Sequence, residues 1–201
     1  MKLGFDIDDT LNYQYEFLID RGLKFLYENN LMDAYEEADF RGAHPFTWKG
    51  DWHIKFWTQH REELVSHLPP KTFAPEILRK LHDEGHEIHL ITARTEIDPL
   101  YPDYMQGEIS QYTKKWLKKF DIPYDELHFA TADKGACCRE NGIDIMVEDD
   151  CPNLRKLMGN THIIVYNMPY NNLPEFDGLD RAHGWYAVYW LIHKFIDGSK
   201  K

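Results

Sequence analysis

Three aspartates crowd the start of this chain, in Asp6-Ile7-Asp8-Asp9-Thr10, directly after the apolar run Leu3-Gly4-Phe5. Strand interiors avoid aspartate, so these acids belong at a strand end, where they repel one another unless something positive neutralises them. Taken alone, the segment reads equally well as a solvated turn with Asp9 or Thr10 capping a helix. Three other strand ends break the tie. Thr92 closes one in Ile91-Thr92-Ala93-Arg94, Lys134 opens the helix after another, and Glu148-Asp149-Asp150 end a third. Grouped carboxylates suit a hard divalent cation, and Mg2+ prefers few protein carboxylates plus phosphate oxygens and water. A lysine and a threonine hydroxyl supply the charge and orientation a phosphoryl group needs.

The elements that must carry these groups follow from periodicity. Residues 2–7 read as a short buried strand, and residues 13–30 as a helix with Tyr15, Leu18, Ile19, Gly22 and Leu26 on one face. Residues 75–84 read as a helix ended by Gly85, 86–92 as a strand, and Ile109, Tyr112, Trp116 and Phe120 as one face of another helix. Strands are expected at 127–130, 143–147 and 162–166, the last of the series. Helices are expected at 134–140, 152–158 and 182–195. Strands separated by helices imply βαβ units and a parallel sheet covered on both faces. Ligands of such sheets sit beyond the carboxyl ends of the strands, which is where the unusual residues fall.

Composition narrows the class. With 201 residues, 43% of them hydrophobic, the chain buries a real core. Its net charge of −11 argues against coating a long nucleic acid, which requires basic faces. Small phosphorylated ligands remain open, since a local cation can hold them. The three cysteines, Cys137, Cys138 and Cys151, are too few and too clustered for a disulfide framework. The opening residues meet acid before any apolar stretch forms, so no signal peptide is expected. The longest apolar run, 185–192, falls short of the ~20 residues of a membrane helix. The expectation is a reducing, cytoplasmic setting without membrane contact; the oligomeric state is left open.

The set Asp6-Ile7-Asp8-Asp9-Thr10, Thr92, Lys134 and Glu148-Asp149-Asp150 resembles, in order and spacing, the four motifs of the haloacid-dehalogenase (HAD) superfamily of phosphohydrolases. The resemblance implies an α/β fold, a three-layer Rossmann-like core with a parallel sheet and a small helical cap inserted after the first strand. The core would comprise residues 1–11 and 75–201, and the cap residues 12–74. Asp6 would be the nucleophile that forms an aspartyl-phosphate. Asp8 would be the general acid–base, its backbone carbonyl joining the Asp6 carboxylate on Mg2+. Thr92 and the Ala93 amide would hold phosphate oxygens, Lys134 would neutralise Asp6 and the transferring group, and Asp149 would complete the metal site. Three acids stand where the pattern offers two, so either Glu148-Asp149 or Asp149-Asp150 matches. Transport ATPases of the superfamily carry threonine at the position of Asp8, so an aspartate there implies fast hydrolysis.

The inserted segment is dense in aromatic residues: Phe40, Phe46, Trp48, Trp52, Phe56 and Trp57, with loop signals at Gly42, Pro45 and Gly50. Rings can stack on a nucleobase at ~1–3 kcal/mol per base, or form the core of a small cap. Phe17, Phe46, Trp48 and Trp52 are the candidates for substrate contact. The opening Gly4-Phe5-Asp6-Ile7-Asp8-Asp9-Thr10-Leu11, the cap position and Val147-Glu148-Asp149-Asp150-Cys151-Pro152 are similar to bacterial nucleotidases of the 5'(3')-deoxyribonucleotidase family. That resemblance implies a Mg2+-dependent phosphatase for (deoxy)nucleoside monophosphates. Thr92-Ala93-Arg94 departs from the family's more usual Thr-Ser-Pro type. Arg94 would add a bidentate contact to phosphate or carboxylate. A phosphatase for sugar phosphates or polynucleotide ends, and a non-catalytic phosphate-binding module, are the alternatives.

Other constellations carry less. His53, His60 and His67 recur every seven residues, ~10 Å apart along a helix, too far to share one zinc. His82 and His86 are expected to be separated by the helix end at Gly85. Cys137-Cys138 reads as a packing pair, and Lys114-Lys115 with Lys118-Lys119 as a solvated helix face.

Overall fold

The computed structural model describes residues 1–35, 46–48, 50–95, 108–130 and 133–198. Phe40, Gly42 and Pro45 lie outside the described residues. Among the described residues six strands form one sheet: β1 (Lys2–Phe5), β2 (Glu87–Thr92), β3 (Glu126–Phe129), β4 (Ile145–Glu148), β5 (His162–Tyr166) and β6 (Asp180–Ala182). Their spatial order is β3-β2-β1-β4-β5-β6, and all five pairings are parallel. The chain runs outward from β1 to β3, then returns to the other side of β1 and runs outward again to β6. The reversal leaves a crevice beyond the carboxyl ends of β1 and β4, where doubly wound sheets bind ligands.

The helices that accompany the sheet are α1 (Gln14–Glu28), α2 (Asp51–Ser66), α3 (Ala74–Asp83), α4 (Ile109–Lys119), α5 (Lys134–Asn141), α6 (Cys151–Leu157) and α7 (Trp185–Gly198). Alternating strand residues point to opposite faces, which makes three layers. Leu3, Phe5, Ile88, Leu90, Ile145 and Val147 pack under Ile77, Leu81, Trp116, Trp185 and Val188 of α3, α4 and α7. Ile91, Met146, Ile163 and Val165 pack on the other face against Cys138, Leu154 and Leu157 of α5 and α6. Gly4 belongs to that second face, where a Cβ would lie 2.7 Å from Met146 Sδ.

The three-layer parallel architecture is as the sequence implied, with one correction. β5 is not the last strand: Asp180–Ala182 adds β6, and Ala182 belongs to it while the closing helix starts at Trp185. A three-residue strand of Asp-Arg-Ala has no apolar alternation by which to be read. Gly85 ends α3 as expected, with a φ of 86° that favours glycine.

Among the described residues between β1 and α3 lie α1, a 3-10 turn at Met32–Ala34, and α2. α1 and α2 pack through Leu18, Phe25, Phe56 and Leu64, with Phe17, Trp48, Trp52 and Trp57 around them. The segment after α2 is tied to α4: the Trp116 indole N–H donates to the Leu68 carbonyl at 2.7 Å. Among the described residues no helix is long and apolar enough to cross a membrane.

Candidate active site

Asp6 follows β1 directly. Its amide donates to Val147 O at 3.0 Å, which extends the parallel ladder by one step and leaves the carboxylate at the sheet's carboxyl edge, 5% exposed. Glu148 ends the neighbouring strand and is fully buried. Lys134 enters from α5, whose first turn is capped by Asp133 accepting from Ala136 N at 3.0 Å. Gly135 lets α5 approach α6, since a Cβ there would lie 2.1 Å from the Lys156 carbonyl oxygen. The Lys134 ammonium thus reaches Asp6 Oδ1 at 2.5 Å and Glu148 Oε2 at 2.6 Å.

The remaining acids divide their work. Glu148 Oε1 accepts the amides of Asp149 and Asp150 at 3.2 and 3.0 Å. Asp150 caps α6 by accepting from Asn153 N. Asp149 turns into the site and accepts from the hydroxyls of Thr10 and Tyr170, each at 2.6 Å. Asp9, in the left-handed region with φ of 63°, accepts the Tyr15 amide in the first turn of α1, and its Oδ2 lies 3.0 Å from the Tyr170 hydroxyl oxygen, whose one proton it shares with Asp149. It therefore anchors α1, and Thr10 holds Asp149 instead of capping a helix.

One oxygen from each of Asp6, Glu148 and Asp149 lies within 4.8 Å of the others. Burial pushes the Asp6 carboxyl well above the usual carboxylate range, with Glu148 adding repulsion. Burial acts likewise on Asp149, beside Glu148 and Asp9, and raises Glu148. Burial also pushes Asp9 up to about 7. Burial alone would lower Lys134, but Asp6 and Glu148 outweigh it and raise its pKa. Three crowded carboxyls thus share one ammonium, and a further positive charge is needed to keep them all ionised among these hard oxygen donors. Such a set fits a divalent cation.

Asp8, close enough to act electrostatically on Asp6, takes its hydrogen bonds from outside this cluster. Arg94 grips it with Nε on Oδ2 at 2.9 Å and Nη2 on Oδ1 at 2.7 Å, and Asn12 donates to Oδ1 at 3.0 Å. Burial favours the neutral acid, yet the Arg94 guanidinium outweighs it and holds the Asp8 carboxyl below its ordinary value. Thr92, buried at the end of β2, accepts the Arg94 amide at 3.2 Å, which fixes the turn at 92–94. Arg94 was expected to meet substrate; its fork faces Asp8.

Asp8, Ala93 and Arg94 form the floor of a cavity of about 310 Å³, whose opposite wall is α2 with His53, Trp57 and Arg61. These three, four residues apart, form one stripe of the helix. The Trp57 indole N–H donates to His53 Nε2 at 2.6 Å. Phe17, Phe46, Trp48 and Trp52, expected to meet substrate, are not among the described residues that line this cavity. Trp48 stacks on Phe46 with ring centres 4.7 Å apart and lies 4.7 Å from the Phe56 ring, while Trp52 meets Phe25 edge-on. Phe46 sits on Gly22, where a Cβ would be 2.2 Å from the ring. Phe17 meets His60 edge-on, with the Arg21 guanidinium 5.2 Å from its ring centre. These rings form the interior and flank of the α1–α2 unit, whose small volume leaves little else to fill it.

The histidine series does not converge on one point. His53 serves Trp57, His60 lies against Phe17 and Phe56, and His67 follows α2 exposed. Burial raises the pKa of all three thiols, Cys138 to about 12, so they behave as packing groups. Sequence reasoning missed Trp57, His53 and Arg61 as cavity residues, though their spacing was a legible signal. It also missed Tyr170 and Asn171. Asn171 donates to the carbonyls of Asp149 and Tyr166 at 2.8 Å each and accepts from Arg181 of β6 at 2.7 Å. Nothing local in Pro-Tyr-Asn-Asn signals that role.

A parallel three-layer sheet with its acids gathered at the β1 and β4 ends defines the haloacid-dehalogenase class. A haloacid dehalogenase-like hydrolase from Streptococcus pneumoniae superposes with a TM-score of 0.67 at 10% identity, over 96% of this chain and 98% of that one. Residues 1–196 match the model of the family described as 5' nucleotidase, deoxy (pyrimidine), cytosolic type C protein, and the chain belongs to that family. It is 30% identical over 138 residues to the "Putative 5'(3')-deoxyribonucleotidase" of Chlorobaculum tepidum, 68% of this chain and 61% of the length of that relative. It is 25% identical over 198 residues to the "Putative nucleotidase YqfW" of Bacillus subtilis, 95% of this chain and 93% of the other.

Proposed function

We propose that this protein is a Mg2+-dependent phosphatase that hydrolyses a small phosphomonoester, a (deoxy)nucleoside monophosphate, through an aspartyl-phosphate on Asp6. The observation that carries the reading is the buried Asp6 carboxylate, paired with Lys134 and grouped with Asp149. Family membership supports the substrate class.

Asp6 attacks phosphorus and the bond to the ester oxygen breaks. Asp8, once protonated, gives its proton to that oxygen, so the alcohol leaves neutral. Water then attacks phosphorus, Asp8 takes its proton, the bond to Asp6 breaks and inorganic phosphate departs. Lys134 neutralises Asp6 and the transferring group. Thr92 and the Ala93 amide orient phosphate oxygens. Asp6 and Asp149, with the Asp8 backbone carbonyl, would hold Mg2+, which supplies charge neutralisation at the phosphoryl group. Residues 12–74 act as the cap, and Trp57 offers its face to the nucleobase. Phosphate contacts alone would accept any monoester, so the α2 wall sets the choice.

Release of inorganic phosphate from a panel of nucleotides, sugar phosphates and an aryl phosphate tests the reading. Activity is expected with Mg2+, lost in EDTA and lost in folded Asp6→Asn. Undiminished activity in EDTA overturns the metal assignment, and wild-type rates from Asp6→Asn overturn the nucleophile. Preference for sugar phosphates overturns the substrate class.

A further inference from the structure

We propose that Arg94 is a positioning residue: it ties the Asp8 carboxylate to α2 and α4, so that the place of the cavity wall sets the place of Asp8. All three of its guanidinium nitrogens are engaged. Nε and Nη2 hold the two oxygens of Asp8, and Nη1 donates to Thr113 Oγ1 of α4 at 2.9 Å and to Val65 O of α2 at 3.3 Å. The side chain is 6% exposed, and its amide is fixed on Thr92 Oγ1. A planar fork that bonds a carboxylate twice fixes the plane of that carboxylate as well as its distance. Thr113 and Val65 fix the plane of the fork. The orientation of Asp8 is thus set by two helices that do not carry it.

Taking phosphate would require Arg94 to release Asp8, whose side chain is 23% exposed and would lose two charge-assisted bonds. Holding Asp8 is therefore the role the geometry favours over binding phosphate. Val65 lies on the α2 wall of the cavity, beside Leu64 and one turn beyond Arg61. A ligand that seats against this wall fixes Val65 O, and through Arg94 it fixes Asp8. Contacts to the nucleoside are converted into a well-placed Asp8 carboxylate, the base that takes the proton from the attacking water, so they act on kcat more than on KM. This inference rests on the phosphatase reading for its kinetic consequence, and on geometry alone for the clamp.

Thr113→Val is the cleanest probe, because Thr113 touches Arg94 but lines neither the cavity nor the acid cluster. Its kcat should fall on the order of tenfold, with KM and the inhibition constant for inorganic phosphate within about twofold of wild type. Thr113→Ser, which restores the hydroxyl, should recover the rate. Arg94→Ala should lose about 100-fold in kcat, again with phosphate inhibition unmoved. A tenfold weaker phosphate inhibition in Arg94→Ala with kcat retained overturns the proposal and makes Arg94 a phosphate ligand. A turnover-free arm compares thermal unfolding of Asp8→Asn, Arg94→Ala and the double variant. The clamp requires the double to be less destabilised than the sum of the singles, and additivity overturns it. If wild type hydrolyses none of the monoesters, the phosphatase reading fails while this arm still decides the clamp.

Discussion

Replacing Lys134 by methionine tests how the buried charges are balanced. The substitution keeps most of the side-chain volume, so packing changes little, but it removes the ammonium between Asp6 and Glu148. Those side chains are 7% and 0% exposed, and water cannot take the place of the lost partner. Removing one member of a buried ion pair costs about 3–5 kcal/mol, because the other charge is left uncompensated. For a chain of this size, 1 kcal/mol moves Tm by about 2–4 °C, so the expected loss is about 6–20 °C at pH 7.5 in EDTA. The orphaned carboxylates can escape by taking up protons. The deficit should therefore shrink as the pH is lowered from 7.5 to 5, and Lys134→Met/Glu148→Gln should be more stable than Lys134→Met alone. Calorimetry or circular dichroism at the two pH values provides the assay. A Tm within about 2 °C of wild type at pH 7.5, or a deficit as large at pH 5, would refute this account of the charges.

Other consequences can be measured with the same protein. Asp9 has its folded pKa raised to about 7 by burial, so the stability it contributes is full below its unfolded pKa and is lost as pH rises through 7. In EDTA, wild type should lose Tm between about pH 4.5 and 7 more steeply than Asp9→Asn, with the slopes converging above 7; equal slopes below 7 would contradict this. Trp48→Ala should lower Tm, since the ring packs on Phe46 and Phe56, and leave KM for nucleotides near wild type. Trp57→Ala should leave Tm near wild type and lower kcat/KM for nucleotides about tenfold through lost stacking, mostly in kcat. Exchanged phenotypes would return the base contact to Trp48.

The motifs were legible because an apolar strand seldom ends in clustered charge unless a counter-charge or a ligand meets it there. Asp6, Thr92, Lys134 and Glu148 each follow an apolar strand or open the next helix, and parallel βαβ geometry brings such ends together. The surplus acids were not separable in sequence. Only the fold shows that Glu148 holds Lys134, that Asp150 caps α6 and that Asp149 faces the cluster. The α1–α2 aromatics illustrate a second limit. Trp48 and Trp57 are the same residue type nine positions apart, and burial of one against Phe46 while the other borders the cavity is decided by tertiary packing. β6 and Asn171 mark a third: a short polar strand, and an amide that braces the Asp149 backbone from 22 residues away, carry no periodic signal.

The most direct measurement is to acid-quench a reaction in the steady state, reduce with labelled borohydride, and map the label by peptide mass spectrometry. Reduction converts an acyl phosphate of aspartate to homoserine, so the account requires labelled homoserine at position 6, absent without substrate. Phosphate release with no label at position 6, or with label at another acid of the cluster, would contradict it.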